Sequence, residues 1–129
     1  MSHPNPLTIL LVDDEEIVRS TLKKVIERLG NHAEEFQDGL AGLEALGRQA
    51  YDAAFVDLRM PGIDGIGFLH RAGSIRPQTP IIIISGHGSD ETREEALRAG
   101  AFAFLTKPFR FDDIRRLLER VRNPQNGQP

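Results

Sequence analysis

Ile81, Ile82, Ile83 and Ile84 stand in an unbroken row, preceded by Pro80 and followed by Ser85, Gly86, His87 and Gly88. A β-strand turns successive side chains to opposite faces, so an uninterrupted row of β-branched apolar residues needs cover from both sides. A parallel sheet packed between helices provides that cover. Leu7 to Val12, broken only by Thr8, is a second run of the same kind. At 129 residues the chain fits one domain, large enough to bury roughly 65 to 70% of its unfolded surface.

Taken in order, the chain alternates such runs with helical patterns. Asp13, Asp14, Glu15 and Glu16 close the first run, and from Ile17 the apolar positions Val18, Leu22, Val25, Ile26 and Leu29 recur at helical spacing until Gly30 stops them. Asp14, Glu15 and Glu16 suit the positive end of that helix dipole. Ala33 to Phe36, with Glu34 and Glu35 inside it, is the weakest strand pattern and is expected at a sheet edge. Asp38 is placed to cap a second helix with Leu40, Leu43 and Leu46 as its stripe, weakened by Gly39, Gly42 and Gly47 at about 1 kcal/mol for each interior glycine.

Ala53 to Val56 is the third strand. It delivers Asp57 at its C-terminal end, where Pro61, Gly62 and Gly65 break the chain into a loop. Asp64 is expected to cap a helix carrying Ile66, Phe68 and Leu69 to about Gly73, and Ile75 to Thr79 to form a loop. After the isoleucine strand, Asp90 to Ala99 reads as a fourth helix burying Ala96, Leu97 and Ala99. Phe102 to Leu105 reads as a fifth strand. A last helix from about Phe111 to Arg122, capped by Asp112 or its neighbour, carries Ile114, Leu117, Leu118 and Val121. Five strands alternating with five helices imply an α/β architecture, one parallel sheet with helices on both faces. Residues 7–122 are expected to be the domain, with an N-terminal tail at 1–6 and a C-terminal tail or truncated linker at 123–129.

Several classes are excluded by what the chain lacks. It has no cysteine, so disulfides, iron–sulfur clusters and thiolate catalysis are ruled out. No apolar run approaches the ~20 residues of a membrane span, and the start shows no signal or transit peptide, so a cytoplasmic protein with no membrane insertion is expected. A net charge of -3 offers no footprint for direct nucleic-acid contact. His3, His32, His70 and His87 show no ligand spacing.

In such a sheet, ligands bind at the C-terminal ends of the strands. Asp13 and Asp14, Asp57, Ser85 and Lys107 follow the first, third, fourth and fifth strands and fall on that edge together. Two carboxylates ~5 Å apart repel by roughly 3 kcal/mol at an effective dielectric of 20, so three acids need cations. Lys107 offsets one. A hard divalent cation such as Mg²⁺, which accepts carboxylate, carbonyl, water and phosphoryl oxygens, suits the rest. The Ser85 hydroxyl and the Lys107 ammonium add donors for a phosphoryl group, and Asp57 is placed to attack it, forming an acyl phosphate.

These residues resemble the receiver domain of two-component response regulators over Leu7 to Arg122. Leu10 to Glu15, Val56 to Gly65, Ser85 to Gly88, and Phe104 to Phe109 are four motifs in the family's order. The resemblance implies a flavodoxin-like, CheY-like (βα)5 fold with strand order 2-1-3-4-5, and Asp57 as the phosphorylation site. It implies Asp14, Asp57 and the Arg59 backbone carbonyl as direct ligands of Mg²⁺ or Mn²⁺, with Asp13 acting through water. Ser85 and Lys107 would hold the phosphoryl oxygens. Phe104 would be a switch aromatic that turns inward as the Ser85 hydroxyl moves, remodelling the surface of the fourth helix, fifth strand and fifth helix for an unknown downstream protein.

Arg59 and His87 would tune water access to the acyl phosphate, although His87 reads equally well as a solvated loop residue. The resemblance also implies a cis Lys107–Pro108 bond. The phosphoryl donor would be a sensor histidine kinase or a histidine phosphotransfer protein, and the chain a monomer or a weak, phosphorylation-dependent dimer. It would not be an enzyme beyond its own phosphorylation and dephosphorylation.

Competing readings are less well served by the residues. An FMN-binding flavodoxin-like protein would meet Asp13, Asp14, Glu15 and Glu16 where its phosphate should sit, and with no tryptophan and one tyrosine it lacks stacking partners. An aspartate-nucleophile phosphatase would want an acid two residues after Asp57, where Arg59 stands. A degenerate receiver serving as a constitutive interaction module would not be expected to keep all five pocket residues.

Overall fold

The computed structural model describes residues 5–86 and 88–124; what was expected of 1–4, His87 and 125–129 lies outside the described residues. Strands β1 (Thr8–Val12), β2 (His32–Phe36), β3 (Ala53–Asp57), β4 (Ile81–Ser85) and β5 (Ala103–Thr106) alternate with helices α1 (Glu16–Arg28), α2 (Gly39–Arg48), α3 (Gly65–Ile75), α4 (Asp90–Arg98) and α5 (Phe111–Arg122). All four pairings are parallel and the order is β2-β1-β3-β4-β5, the flavodoxin-like arrangement that was expected. The weak strand, β2, is indeed at an edge.

Register sets the strand ends level. Val12 lies opposite Val56, Asp57 opposite Ile84, and Ser85 opposite Thr106, so the residues just beyond β1, β3, β4 and β5 share one rim. Side-chain alternation then divides the core. Leu10, Val12, Ala54, Val56, Ile81, Ile83 and Phe104 pack on one face with α2, α3 and Ala96 of α4. Ile9, Leu11, Phe55, Ile82, Ile84 and Leu105 pack on the other with α1 and α5. All four isoleucines of β4 are buried, as two-sided cover requires.

The expected caps are found at α2, α3 and α5. The Asp38 carboxylate accepts from the Ala41 N–H and that of Asp64 from the Gly67 N–H, each at 2.8 Å, capping α2 and α3. Gly30 adopts φ +88° just past α1. At α5 the capping carboxylate is that of the residue next to Asp112. Asp113 accepts from the Arg110 N–H at 2.8 Å, while Asp112 is engaged with Arg115 and Arg116.

Three apolar residues expected in helix stripes are exposed instead: Ile17 at 81%, Leu40 at 59% and Leu97 at 41%. Ile17 and Leu40 are each the second residue of their helix, in a first turn at the rim where the core ends. Leu97 stands in the last turn of α4, which meets the sheet mainly through the small side chain of Ala96. Ile75 ends α3 rather than opening the loop. Gly42 is less a weakness than a fit, because a Cβ there would come within 2.7 Å of Val12 Cγ2.

Candidate functional site

Asp57 is the last residue of β3 and is buried, as is Asp13 in the turn after β1, while Asp14 is exposed. One carboxylate oxygen from each of Asp13, Asp14 and Asp57 lies within 4.8 Å of the others. Lys107, which follows β5, brings its Nζ to 3.7 Å from Asp57 Oδ1 and 3.7 Å from Asp13 Oδ2. The four charged residues expected to meet therefore do so.

Backbone bonds hold the rim. The Leu58 N–H donates to Ile84 O and the Lys107 N–H to Ser85 O, both at 2.8 Å, and the Lys107–Pro108 bond is cis as expected. Asp13 is fixed by its own N–H, which donates to Phe36 O at 3.2 Å, and by its Oδ1, which accepts from the Glu15 N–H at 2.8 Å. Ser85 is buried one residue beyond Ile84, the register partner of Asp57. Arg59 is exposed, and its backbone N–H donates to the Asp57 carboxylate. Phe104 is buried in the core cluster shared with α3 and α4.

Burial governs the electrostatics. Desolvation pushes the Asp57 carboxyl up to about 6, with the Asp13 charge adding to the rise and Lys107 and the Arg59 N–H opposing it. Desolvation likewise raises Asp13. For Lys107, burial acts downward but is outweighed by the hydrogen bond from Nζ to Glu15 and by the Asp13 and Asp57 charges, so its ammonium is held above the usual lysine range.

The donors suit a hard divalent cation. They are carboxylate oxygens closer together than like charges tolerate alone, and Asp13 Oδ2, fully buried and lacking a hydrogen-bond partner, faces the Lys107 side of the cluster at 3.7 Å. A buried carboxylate oxygen without a donor is costly, and a cation or its bound water would satisfy it.

Two residues at the site carried no assigned role in the sequence reading. Glu15 Oε1 accepts from Lys107 Nζ at 3.1 Å, nearer than either aspartate. Arg19 Nη1 donates to the Asp13 carbonyl at 2.6 Å. The acidic run after β1 was the available signal for Glu15. Nothing in the spacing pointed to Arg19.

Asp57 also depends on its follower loop. A Cβ on Gly65 would lie 2.8 Å from Leu58 Cα and 2.9 Å from Asp57 O, both backbone atoms unable to give way locally. Gly65→Ala is therefore expected to destabilise the fold by about 1 to 3 kcal/mol. Urea unfolding monitored by circular dichroism would show it as a lower midpoint, and an unchanged midpoint would refute the close packing of α3 on this loop.

Comparison with known proteins points the same way. Residues 9–119 match the response regulator receiver domain family. The chain is 34% identical over 113 residues to the DNA-binding transcriptional regulator NtrC of Escherichia coli (strain K12), covering 88% of this chain but 24% of NtrC, so it spans about a quarter of that relative's length. Among solved structures, the Vibrio cholerae chemotaxis protein CheY4 superimposes with a TM-score of 0.84 at 27% identity, over 91% of this chain and 99% of CheY4. The receiver domain of sensor histidine kinase PA1611 from Pseudomonas aeruginosa PAO1 superimposes with a TM-score of 0.83 at 28% identity, over 91% and 98%, and holds a magnesium ion in its active site cleft.

Proposed function

The chain belongs to the response regulator receiver domain family, and on that premise we propose that Asp57 accepts a phosphoryl group from a phosphohistidine in a Mg²⁺-dependent reaction. The observation carrying this reading is the gathering of Asp13, Asp14, Asp57 and Lys107, from three separate strand ends, into one rim cluster. An Asp57 carboxylate oxygen attacks phosphorus, an O–P bond forms, the P–N bond breaks, and the imidazole leaves with its electron pair and takes up a proton.

Burial without full neutralisation keeps Asp57 poorly solvated yet ionised at neutral pH, a condition that favours attack. Lys107 and the Ser85 hydroxyl donate to the phosphoryl oxygens. Asp14, Asp57 and the Arg59 carbonyl would hold the metal, with Asp13 beside them acting through water. Mg²⁺, or Mn²⁺ in its place, would supply charge neutralisation between these acids and the phosphoryl group.

Receiver domains of this family are signalling domains that work with histidine kinases. For this chain the donor is a sensor histidine kinase or a phosphotransfer protein, and 7–122 is the functional unit. Ser85 and Phe104 relay the modified state to the surface formed by α4, β5 and α5, where a downstream protein binds. Arg59, and His87 outside the described residues, set how fast water reaches the acyl phosphate. No helix among the described residues is long and apolar enough to cross a membrane, which suits a cytoplasmic setting.

The test is phosphoryl uptake from acetyl phosphate followed by intact mass spectrometry, with and without Mg²⁺. Uptake is expected only with the metal. Asp14→Asn is expected to raise the Mg²⁺ concentration needed for half-maximal uptake by about tenfold or more, since ligand charge sets affinity. Metal-independent uptake by the unmodified chain would overturn the reading.

A further inference from the structure

Arg19 is a charged side chain that is only 13% exposed, an uncommon state for arginine unless it is paired. It sits in the second turn of α1 and bridges two elements. Nη1 donates to the Asp13 carbonyl oxygen at 2.6 Å, and Nε donates to Glu35 Oε1 of β2 at 3.3 Å. Lys23 Nζ lies 3.7 Å from the other Glu35 oxygen, so Glu35 is held in turn. This accounts for a charged residue in the middle of a strand.

We infer that Arg19, oriented by Glu35, is a positioning residue that fixes the Asp13–Asp14 turn for cation binding. Asp13 is then restrained at its N–H by Phe36 O, at Oδ1 by the Glu15 N–H, and at its carbonyl by Arg19. Its remaining carboxylate oxygen, Oδ2, is left without a hydrogen bond on the side of Lys107. The carbonyl that Arg19 grips belongs to the peptide joining Asp13 to Asp14. Releasing it frees that peptide to rotate, and the two carboxylates lose their relation to each other and to Asp57. Partners behind the ligands typically govern metal affinity in this way. The inference rests on the cation-binding reading given above.

The sign of the effect separates positioning from charge. Deleting a guanidinium near three acids should, by Coulomb's law alone, tighten the binding of a cation. Loss of positioning weakens it. Lysine at the same place keeps the charge but not the two-pronged geometry of the guanidinium.

The experiment is Mg²⁺ titration by isothermal calorimetry, without phosphoryl donor, on the full chain and on Arg19→Ala, Arg19→Lys and Glu35→Gln, with far-ultraviolet circular dichroism to establish folding. Arg19→Ala is expected to weaken Mg²⁺ binding roughly tenfold or more, with Arg19→Lys also weaker and Glu35→Gln weaker by less. Phosphoryl uptake by Arg19→Ala should be slow at limiting Mg²⁺ and recover at saturating Mg²⁺. Should Arg19→Ala fail to fold, Arg19→Lys and Glu35→Gln decide. Unchanged or tighter Mg²⁺ binding in the folded variants overturns the positioning role alone, whereas an unmodified chain that binds no Mg²⁺ overturns the reading of the site as well.

Discussion

Asp57→Asn is expected to take up no phosphoryl group from acetyl phosphate under conditions where the unmodified chain is fully labelled. The amide matches the carboxylate in size, so β3 and the loop after it should keep their packing, but it offers no anionic oxygen for attack. The neighbouring acids are poor substitutes. Asp13 Oδ1 is engaged by the Glu15 N–H, and Asp14 is exposed to solvent where Asp57 is buried. Intact mass spectrometry after incubation with Mg²⁺ and donor reads the result directly. Equal labelling of the two proteins would remove Asp57 from its proposed role.

The same substitution should have an opposite and sizeable effect on stability when metal is absent. The Asp57 carboxyl lies at about 6 in the folded protein against 3.8 as a free side chain, mainly because burial disfavours its charge. A raised carboxyl means that the folded state binds the proton more tightly than the unfolded state does. Stability is therefore highest below about pH 4 as far as this group is concerned, falls as pH rises through about 6, and then levels off. The difference is worth about 3 kcal/mol.

In the presence of a chelator at pH 7 to 8, Asp57→Asn should thus be more stable than the unmodified chain by up to about 3 kcal/mol, the gap closing toward pH 4. Added Mg²⁺ should narrow the gap from the other direction, because it stabilises the chain that binds it more tightly. Urea unfolding across that pH range would decide the matter. An unmodified chain equal to or more stable than Asp57→Asn in chelator at pH 7 would show that the carboxylate is not under the strain described.

The sheet and the charged rim could be read from sequence because both rest on local chemistry. Four isoleucines in a row call for two-sided burial, and acids that follow the neighbouring strands β1 and β3 of a parallel sheet must share an edge. Asp38 and Asp64 announced their helices in the same local way. What could not be read depends on where a helix outruns its support. Ile17, Leu40 and Leu97 satisfy helical spacing as well as Leu22 or Leu43, but periodicity does not record that a first or last turn stands beyond the core.

The charges of β2 are the other case. Glu34 and Glu35 look adverse in a strand until Tyr51 is seen to donate to Glu34, and Arg19 and Lys23 to meet Glu35. Those partners are brought close only by the fold. The proximity of the rim residues, by contrast, follows from the shared edge of a parallel sheet.

Residue parity along β4 turns the sheet into a bulkhead between two compartments. Ile81 and Ile83 belong to the chamber that also holds Phe104, whereas Ile82 and Ile84 belong to the chamber under α1 and α5. A disturbance that entered through Phe104 would be felt first by the helices of its own chamber, α3 and α4 among them, and would reach α5 through the backbone of β5 or around the sheet's edge.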